Sequence, residues 1–419
     1  MRRIVARARE GKWLVLFATV AVAAAFVPYP AGTLDARSAW SARSAWLARR
    51  APTSGALRRD SLPTRLSDAD FWSLVTTMSE PAGFFRSDNL VSNEVTFQHV
   101  IPELQRKVGA GGVYLGVGPD QNFTYITALE PRIAFIVDIR RGNLLQHLMY
   151  KALIELSSDR ADFLSLLFSR PRPPGATADA SVTALLAAYD SVAADSALFR
   201  HTLAAVQRRL VEEHRFTLER TDPPGIEYIL LSFFDAGPAL TYSFGRGAGG
   251  YGGYAMRGMP TYGELMVQTD ADGVERGYLA SEASFQRLRQ MQLDNRIVPL
   301  VGDFGGPKAL RAVGAYLRAR EATASMLYTS NVEQYLFGSD DAWRRYYDNV
   351  AAIPTDERST FIRAVFNYGN RDFGVRRGPR SVTMLSSVRE LLAGVGGGAV
   401  QSYWDVVRLS RSPVEAAVR

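Results

Sequence analysis

The sequence predicts an α/β protein with a doubly wound, mostly parallel sheet, interrupted by a helical and glycine-rich insertion and preceded by an N-terminal signal or anchor segment. An apolar strand, residues 113–115, breaks at Gly116 and Gly118 into a turn and then a helix start. A second apolar strand, residues 133–138, ends in Asp138, twenty residues beyond Gly118. Strand, glycine turn, helix, strand and acid form the opening unit of a doubly wound sheet. The 419 residues are 47% hydrophobic and 22% charged, the balance of a globular chain of two or three domains.

The first 31 residues are predicted to be a signal peptide or a membrane anchor. Five basic residues among the first twelve precede an uncharged stretch, residues 13–27, which Pro28 ends. Fifteen helical residues span about 22 Å, short of the ~30 Å hydrocarbon core, so the stretch matches a signal-peptide apolar region better than a membrane span. We therefore expect an exported or membrane-anchored protein with a linker at residues 32–65. The alternative is a cytoplasmic protein whose N-terminal segment does not export the domain.

Composition excludes several classes of site. The chain has no cysteine, which rules out disulfides, thiolate metal sites and cysteine nucleophiles. Its four histidines are scattered, and no two stand four residues apart on one helix face, so no metal site is predicted. The net charge of +7 is carried mainly by arginines spread along the chain, without a basic run interleaved with aromatics. The expected partner is therefore a small molecule rather than a nucleic acid.

Residues 66–156 are predicted to form the first part of the doubly wound domain, with helices at its start. Ser67 begins a helix that ends near residue 78, because its hydroxyl can accept from first-turn amides. Ser92 or Asn93 begins a second helix that ends near residue 108. Three polar residues precede the second helix and either cap it or line the crevice as substrate contacts: Asn89, Asn93 and Glu94.

The turn after the first strand is the predicted cofactor site. Gly116 and Gly118 allow backbone amides to approach a ligand without an intervening Cβ, and a helix start offers unpaired N–H groups. Asp138, at the tip of the second strand, can accept hydrogen bonds from two ribose hydroxyls, although it could also cap the following helix. The polar residues at the helix start complete the predicted cofactor contacts: Asp120, Gln121 and Asn122.

The residues of this turn favour one kind of nucleotide over another. The dinucleotide fingerprint requires a third glycine, which is missing here. Pro119 removes a backbone donor, and the carboxylate of Asp120 would repel a pyrophosphate at a helix N-terminus. These features suit a ligand that has a cationic end and no phosphate. S-adenosylmethionine, with its amino acid moiety and sulfonium, is such a ligand.

An insertion at residues 157–262 separates the two parts of the sheet. Most of it has helical patterns, but residues 226–234 form an apolar run that predicts a strand. Residues 245–258 contain seven glycines without the Lys-Ser/Thr pair of a phosphate loop. The sequence therefore predicts a mostly helical insertion with a glycine-rich loop that could cover the site.

The sheet is predicted to resume in residues 263–419. One strand ends just before Asp303, a second covers residues 324–330, and a third covers residues 360–366. The tip of the second of these strands carries four candidate substrate contacts, which could equally cap and pack the next helix: Ser330, Asn331, Glu333 and Tyr335. Ligands of open α/β sheets lie at the carboxyl ends of the strands, so we expect these residues to converge with residues 116–121, Asp138 and Asp303 on one crevice.

Four stretches jointly resemble an uncharacterised bacterial family. They are YLGVGPDQNF (residues 114–123), YLASE (278–282), IVPLVGDF (297–304) and YTSNVEQYL (328–336). Members of that family look like Rossmann-type S-adenosylmethionine-dependent methyltransferases, which implies a methyltransferase-like Rossmann fold. In this resemblance Gly116 and Gly118 match the glycine motif, Asp138 the ribose acid and Asp303 the acid near the adenine. Ser330 and Asn331 fall where such enzymes carry their substrate motif, but the Asn-Pro-Pro-Tyr form of that motif is missing.

Three function classes follow from these observations. The first is a methyltransferase-like protein that binds S-adenosylmethionine or a related nucleoside and methylates a small molecule. The alternative is a non-catalytic exported binding protein on the same scaffold, and the third class, an oxidoreductase linked to NAD, is disfavoured by the missing third glycine. No nucleophile–base pair can be assembled around the histidines, so the sequence identifies no catalytic residue.

Overall fold

A computed structural model describes residues 61–242, 259–366 and 381–412. Its sheet contains six strands: β1 (Val113–Gly116), β2 (Ile133–Asp138), β3 (Ile297–Val301), β4 (Ala324–Ser330), β5 (Thr360–Phe366) and β6 (Ser381–Ser387). Their order is β3-β2-β1-β4-β5-β6. The first five strands run parallel and β6 is antiparallel to β5. The predicted mostly parallel α/β sheet is therefore confirmed.

The strand order reverses between β1 and β4. From β1 the chain moves outward through β2 to β3, and then returns to the other side of β1 to build β4 and β5. Strands β1, β2, β3 and β5 are buried along their whole length, as expected of a parallel sheet covered on both faces. Such a reversal leaves a crevice at the carboxyl ends of the two neighbouring strands, here β1 and β4.

Helices cover both faces of the sheet. Those of the first part are α1 (Asp68–Met78), α2 (Ile101–Val108), α3 (Gln121–Leu129) and α4 (Arg141–Leu156). Those of the insertion and the stretch after it are α5 (Arg160–Phe168), α6 (Val182–Asp190), α7 (Ser196–Arg208), α8 (Asp222–Ala236), α9 (Tyr262–Met266) and α10 (Glu282–Leu293). The remaining ones are α11 (Ala309–Ala319), α12 (Val332–Leu336), α13 (Ala342–Ala351), α14 (Val388–Gly396) and α15 (Tyr403–Arg408).

The predicted strand at residues 226–234 is wrong, because this run lies within α8. Two prolines stand in the first turn of the helix, where their missing N–H groups cost no hydrogen bond. The buried residues Ile226, Ile229, Leu230 and Phe233 follow the i, i+3, i+4, i+7 spacing of one helix face. The helical spacing of these apolar residues, rather than the length of the apolar run, indicates the secondary structure of this segment.

The second predicted helix starts later than expected. Neither Ser92 nor Asn93 caps it, because the segment stays non-helical until a short 3₁₀ turn, Phe97–Val100, which leads into α2. The Ser92 hydroxyl accepts instead from the backbone N–H of Glu94 at 3.1 Å. The polar residues before α2 are thus available for contacts with the sheet.

The insertion shares its apolar core with the sheet domain. Phe233 of α8 lies edge-on against Tyr150 of α4, with ring centroids 6.1 Å apart, and Phe163 of α5 contacts Phe285 of α10 at 5.6 Å. The predicted glycine-rich loop lies outside the described residues, as do the predicted signal or anchor segment and residues 32–60 of the linker. In the described part of the chain, no helix is both long enough and apolar enough to cross a membrane.

Candidate functional site

The segment before α2, which was predicted either to cap that helix or to line the crevice, crosses the carboxyl edge of the sheet. We call residues 87–96 the strap. At its start, the guanidinium of Arg140, just after β2, donates to the carbonyl of Asp88. At its end, the backbone N–H of Val95 donates to the Ser381 hydroxyl on β6 at 2.8 Å. Between these two anchors the strap passes the ends of β1 and β4, where the crevice is expected.

The centre of the strap places a buried carboxyl group between β1 and β4. Glu94 is 1% exposed. Its Oε1 accepts from the Tyr328 hydroxyl of β4 at 2.8 Å and from the Ser330 hydroxyl at the tip of that strand. Its Oε2 accepts from the Gln121 amide of α3 at 2.8 Å, and the Ser92 hydroxyl donates to the other end of that amide. Three of the predicted site residues, Glu94, Gln121 and Ser330, therefore lie in one cluster.

The charge of Glu94 has no counter-ion in this cluster. Burial raises the pKa of Glu94, and the hydrogen bonds from Ser330, Gln121 and Tyr328 oppose that shift without cancelling it. All three donors are neutral, and no Lys or Arg of the described residues forms an ion pair with this carboxylate. A buried carboxyl with neutral partners alone is stabilised further by a cation, so the cluster favours a positively charged ligand group.

The two glycines of the turn serve different purposes. Gly118 has φ +80°, and a Cβ there would find only the Asn89 amide of the strap within 4 Å, at 3.7 Å. A Cβ on Gly116 would lie 2.0 Å from Oδ1 of Asn122. Gly118 therefore leaves space on the side of the strap, and its predicted contact with a cofactor stays a prediction, whereas Gly116 makes room for a side chain of the protein.

The side chain of Asn122 braces the turn from inside. It is fully buried, and its amide nitrogen donates to the carbonyls of Val117, Gly118 and Pro119 at 2.9, 3.2 and 2.7 Å. Its Oδ1 accepts from the Tyr114 hydroxyl of β1 at 2.8 Å. Because its nitrogen and its oxygen both have partners, the Asn122 amide holds the backbone of the turn in place. Its predicted contact with a cofactor stays a prediction.

Asp120 is a second buried carboxyl at the turn. It is 2% exposed, and its Oδ2 accepts from the Tyr278 hydroxyl at 2.8 Å. The Tyr278 hydroxyl lies 2.8 Å from that of Tyr262, at the start of α9. Burial raises the pKa of Asp120 to about 6, because the hydrogen bonds offset only part of the desolvation. This residue is therefore poised to change its charge near neutral pH.

Asp138 stands at the tip of β2, as predicted, but its carboxylate is engaged. Its Oδ1 accepts from Nε of Arg140 at 3.0 Å and from the Arg140 backbone N–H at 2.9 Å, and Oδ2 accepts from Nη2 at 2.8 Å. A carboxylate offers about four lone-pair sites, so one remains. A ribose diol would have to share Asp138 with the guanidinium that anchors the strap.

Three of the eight non-glycine residues with positive φ in the described chain belong to the strap or to the tip of β4. Asn89 and Thr96 of the strap and Ser330 at the tip of β4 have φ values of +49°, +65° and +51°. Non-glycine residues in this left-handed region are uncommon and cost of order 1 kcal/mol or more each. Such conformations are often found at binding and active sites, so the three residues are consistent with a candidate site at the strap and the tip of β4.

Of the other predicted contacts, Asn331 borders this cluster, because its Oδ1 accepts from the Ser330 hydroxyl at 3.4 Å, and the rest lie outside it. Asp303 accepts from the backbone N–H of Gly305 at 2.9 Å, the geometry of a turn acid. Asn331 is at the N-terminal cap position of α12 without a capping hydrogen bond from its side chain. Tyr335 is 39% exposed and meets Phe85 edge-on, with ring centroids 5.3 Å apart. Asn93, on the strap, is partly exposed.

Glu333 belongs to a buried ion pair. Arg363 of β5, 0% exposed, donates to its two carboxylate oxygens at 2.7 and 3.2 Å, and the Tyr347 hydroxyl donates to it at 2.7 Å. The other arm of Arg363 donates to Ser386 and Ser410. These contacts join α12 to β5, β6 and the C-terminal residues, so Glu333 has a structural partner. An arginine inside the apolar run of β5 was the signal in the sequence that could have revealed it.

The chemistry of the described site rests on carboxyl and neutral polar groups. Within residues 61–242, 259–366 and 381–412, no group of three or more His, Asp or Glu could hold a metal ion. Sequence reasoning missed Tyr328, Tyr278 and Tyr262, because buried tyrosines in apolar runs are indistinguishable from core residues. The arrangement offers a cationic group two buried carboxyl groups, Glu94 and Asp120, and the neutral hydroxyl and amide groups around them.

A family model matches residues 89–223 and 253–380, and its description is "Domain of unknown function (DUF7790)". The chain belongs to this family. The matched residues begin in the strap at Asn89 and include the glycine turn, β2 and the tip of β4. The DUF7790 match thus covers the cluster around Glu94 and the carboxyl of Asp120. No curated protein matches the chain.

Proposed function

We propose that the protein binds S-adenosylmethionine at the carboxyl ends of β1 and β4 and transfers its methyl group to a small molecule. The observation that carries this proposal is Glu94, a buried carboxyl group without a counter-ion at the point where the strand order reverses. Open α/β sheets bind their ligands in this crevice. Gly118, with φ +80° and the Asn89 amide of the strap as the one group within 4 Å of an added Cβ, supports a close approach of the backbone to a ligand.

The charges of the crevice support a cationic nucleoside over a phosphate ester. Glu94 and Asp120 lie beside the same turn, and neither forms an ion pair with a described Lys or Arg. A phosphate would meet two buried carboxyl groups, whereas a sulfonium and an ammonium would complement them. Methyl transfer from a sulfonium needs positioning and exclusion of water rather than a covalent residue, which fits a site without a nucleophile–base pair.

One observation favours a second candidate, the non-catalytic binding protein. The guanidinium of Arg140 donates hydrogen bonds to both carboxylate oxygens of Asp138, the residue predicted to bind a ribose. If Asp138 binds Arg140 instead of a ribose, the protein would bind a ligand smaller than a nucleoside, or no ligand. The two candidates differ in whether an intact nucleoside binds.

Calorimetry with S-adenosylmethionine, S-adenosylhomocysteine and NAD separates the candidates. We expect the first two to bind and NAD not to bind. Glu94→Gln should weaken the binding of S-adenosylmethionine by about tenfold or more, since a charged hydrogen-bonding partner contributes about 1.5–3 kcal/mol of binding free energy. S-adenosylhomocysteine lacks the sulfonium charge, so its affinity should fall less.

The matched control is Glu103→Gln, on the partly exposed face of α2 away from the crevice. It should leave both affinities unchanged. Failure of the folded wild type to bind either ligand would overturn the proposal in favour of the non-catalytic scaffold, and binding of NAD would favour an oxidoreductase. Mass spectrometry of compounds that co-purify with the protein would identify the acceptor.

A further inference from the structure

The loop between α1 and the strap, residues 79–86, exposes an aromatic side chain. Phe84 is 87% exposed, whereas the other exposed large hydrophobic side chains of the described chain are 39–46% exposed. One of these others is Tyr335 on α12, at 39%. Phe85 connects the two, because it follows Phe84 and its ring lies edge-on to that of Tyr335, with centroids 5.3 Å apart. We call Phe84, Phe85 and Tyr335 the aromatic patch.

Backbone and side-chain hydrogen bonds hold this loop on the carboxyl edge of the sheet. The backbone N–H of Glu80 donates to the carbonyl of Val301, the last residue of β3, at 2.8 Å. That of Gly83 donates to the carbonyl of Ile139, just after β2, at 2.9 Å. The Glu80 carboxylate accepts from the backbone N–H of Ala309, the first residue of α11, at 2.6 Å. The exposed ring therefore has a defined place beside the ends of β2 and β3.

The aromatic patch borders the candidate site. Tyr335 lies on α12, the helix that follows β4, whose tip carries the Ser330 hydroxyl that donates to Glu94. Single exposed hydrophobic residues are normal on a protein surface, but neighbouring ones beside a crevice indicate contact with another surface. The patch thus marks the carboxyl edge of the sheet as the side of the domain that meets a partner.

The chemistry of the patch fits the headgroup region of a lipid bilayer. Aromatic side chains prefer the membrane–water interface, where their rings contact apolar groups and the tyrosine hydroxyl stays hydrated. Arg86, which is exposed, follows Phe85, and an arginine at this depth places its charge near the lipid phosphates. The net charge of +7 on the chain adds a general attraction to anionic lipids.

The predicted N-terminal segment would supply a second membrane contact. A few aromatic rings bind a bilayer weakly, and stable attachment needs a second signal. Residues 32–60 join the predicted anchor to Ser61, and at about 3.3 Å per residue a chain of this length spans up to ~95 Å. A domain of this size has a radius of gyration of about 20 Å, so the linker is long enough for any side of the domain to face the bilayer. The aromatic patch then selects the side.

We propose that the aromatic patch is a membrane-facing surface, which turns the carboxyl edge of the sheet toward the headgroups of a phospholipid bilayer. In this orientation the crevice between β1 and β4 opens beside the lipid surface. A second copy of the chain or a soluble protein would instead cover the patch in the absence of lipid. The inference is independent of the proposed cofactor, because none of the three aromatic residues carries that proposal.

Site-specific fluorescence in vesicles tests the orientation. The chain has no cysteine, so one introduced cysteine can be labelled selectively with nitrobenzoxadiazole. Ala82→Cys places the label on the exposed part of the loop and keeps Phe84. The full chain is reconstituted in vesicles of phosphatidylcholine and phosphatidylglycerol. We expect the label to shift to shorter wavelength and to be quenched by a lipid that carries a nitroxide on its headgroup. Phe84→Ser in the same background should remove most of both effects.

The matched label position is Ala69→Cys, also exposed, in the first turn of α1. The Asn295 amide, just before β3, donates to the neighbouring Asp68 at 2.8 Å, so Ala69 lies at the amino edge of the sheet. A label there should show neither effect. Val211→Ser removes another exposed apolar side chain and should leave the signal of the Ala82 label unchanged. Thermal unfolding of each variant verifies that it is folded.

Three results would overturn the proposal. Equal quenching at positions 82 and 69 would show that the domain has no preferred side toward the bilayer. A blue-shifted label at position 82 without vesicles would show that protein, rather than lipid, covers the patch. A label at position 82 that vesicles leave unchanged would show that the patch stays in water.

Discussion

At the scale of single residues, Gly116 and Gly118 show that one motif can carry two physical requirements. Gly118 is needed for its positive φ and leaves space on the strap side, whereas Gly116 is needed because Asn122 fills the position of a Cβ. The sequence suggested a single reason for both, the close approach of a ligand. Only Gly118 retains that interpretation.

Gly116→Ala should therefore destabilise the fold even without any ligand. Overpacking a buried position costs about 1–3 kcal/mol, and here the new methyl group collides with the amide that braces the turn. Denaturant unfolding measures the loss. The control is Gly142→Ala in the first turn of α4, where a Cβ meets no atom within 4 Å and stability should hold or rise. Equal stability of both variants would contradict the packing argument.

Asp120 should make stability depend on pH. The pKa of its carboxyl is about 6 in the folded state, against 3.8 for an aspartate fully exposed to water, so the folded state favours the protonated form. Asp120 therefore contributes fully to the free energy of unfolding below pH 3.8. This contribution, about 3 kcal/mol in total, is lost as the pH rises through 6. Asp120→Asn keeps the shape without the titration, so its stability relative to the wild type should increase between pH 4 and pH 7. Unfolding free energies of the two proteins that run parallel over this range would contradict the assignment.

At the scale of elements, the strap is held to the sheet by Arg140 at one end and Ser381 at the other. Arg140 also neutralises Asp138, so a single guanidinium links the predicted ribose acid to the segment that carries Glu94. The same guanidinium therefore contacts both Asp138 and the strap.

Arg140→Lys should loosen the strap. Lysine keeps the charge but cannot form the two-armed contact with Asp138 and reach the carbonyl of Asp88 as well. Amide hydrogen exchange in residues 87–96 should become faster, while exchange in β1 and β2 stays slow. Arg389→Lys, which alters an exposed pair with Glu357, is the control and should change nothing. An unchanged exchange rate in the strap would show that other contacts hold it.

At the scale of the whole molecule, the N-terminal segment is predicted to decide where the protein is located. Its basic residues, apolar stretch and Pro28 predict that residues 1–31 direct the chain to the membrane. Cell fractionation with N-terminal sequencing should find the protein in the membrane or exported fraction, with the segment either embedded or removed. Replacing residues 14–17 by serines should abolish this distribution, and an unaltered distribution would contradict the prediction.

The sequence alone predicted the five parallel strands of the sheet and the edge at which a ligand is expected, but not the antiparallel β6. The strands β1 and β2, the glycine turn and the acid after β2 are local patterns, because burial on both faces requires continuous apolar runs and a tight turn requires glycine. The position of Ser330 at the tip of β4 followed from the same reasoning. These features are encoded within a few neighbouring residues.

Tertiary structure decided what those residues touch. Glu94 and Ser330 are separated by 236 residues, and only the reversal of strand order between β1 and β4 brings their oxygens together. Arg140 donates to the carbonyl of Asp88, 52 residues earlier in the chain, and Arg363 on β5 donates to Glu333 on α12. Long-range polar pairs of this kind depend on the folded geometry and leave no periodic trace in the chain. Local patterning therefore predicted the region of the candidate site, and the packing of distant segments determined which of its side chains already have partners within the protein.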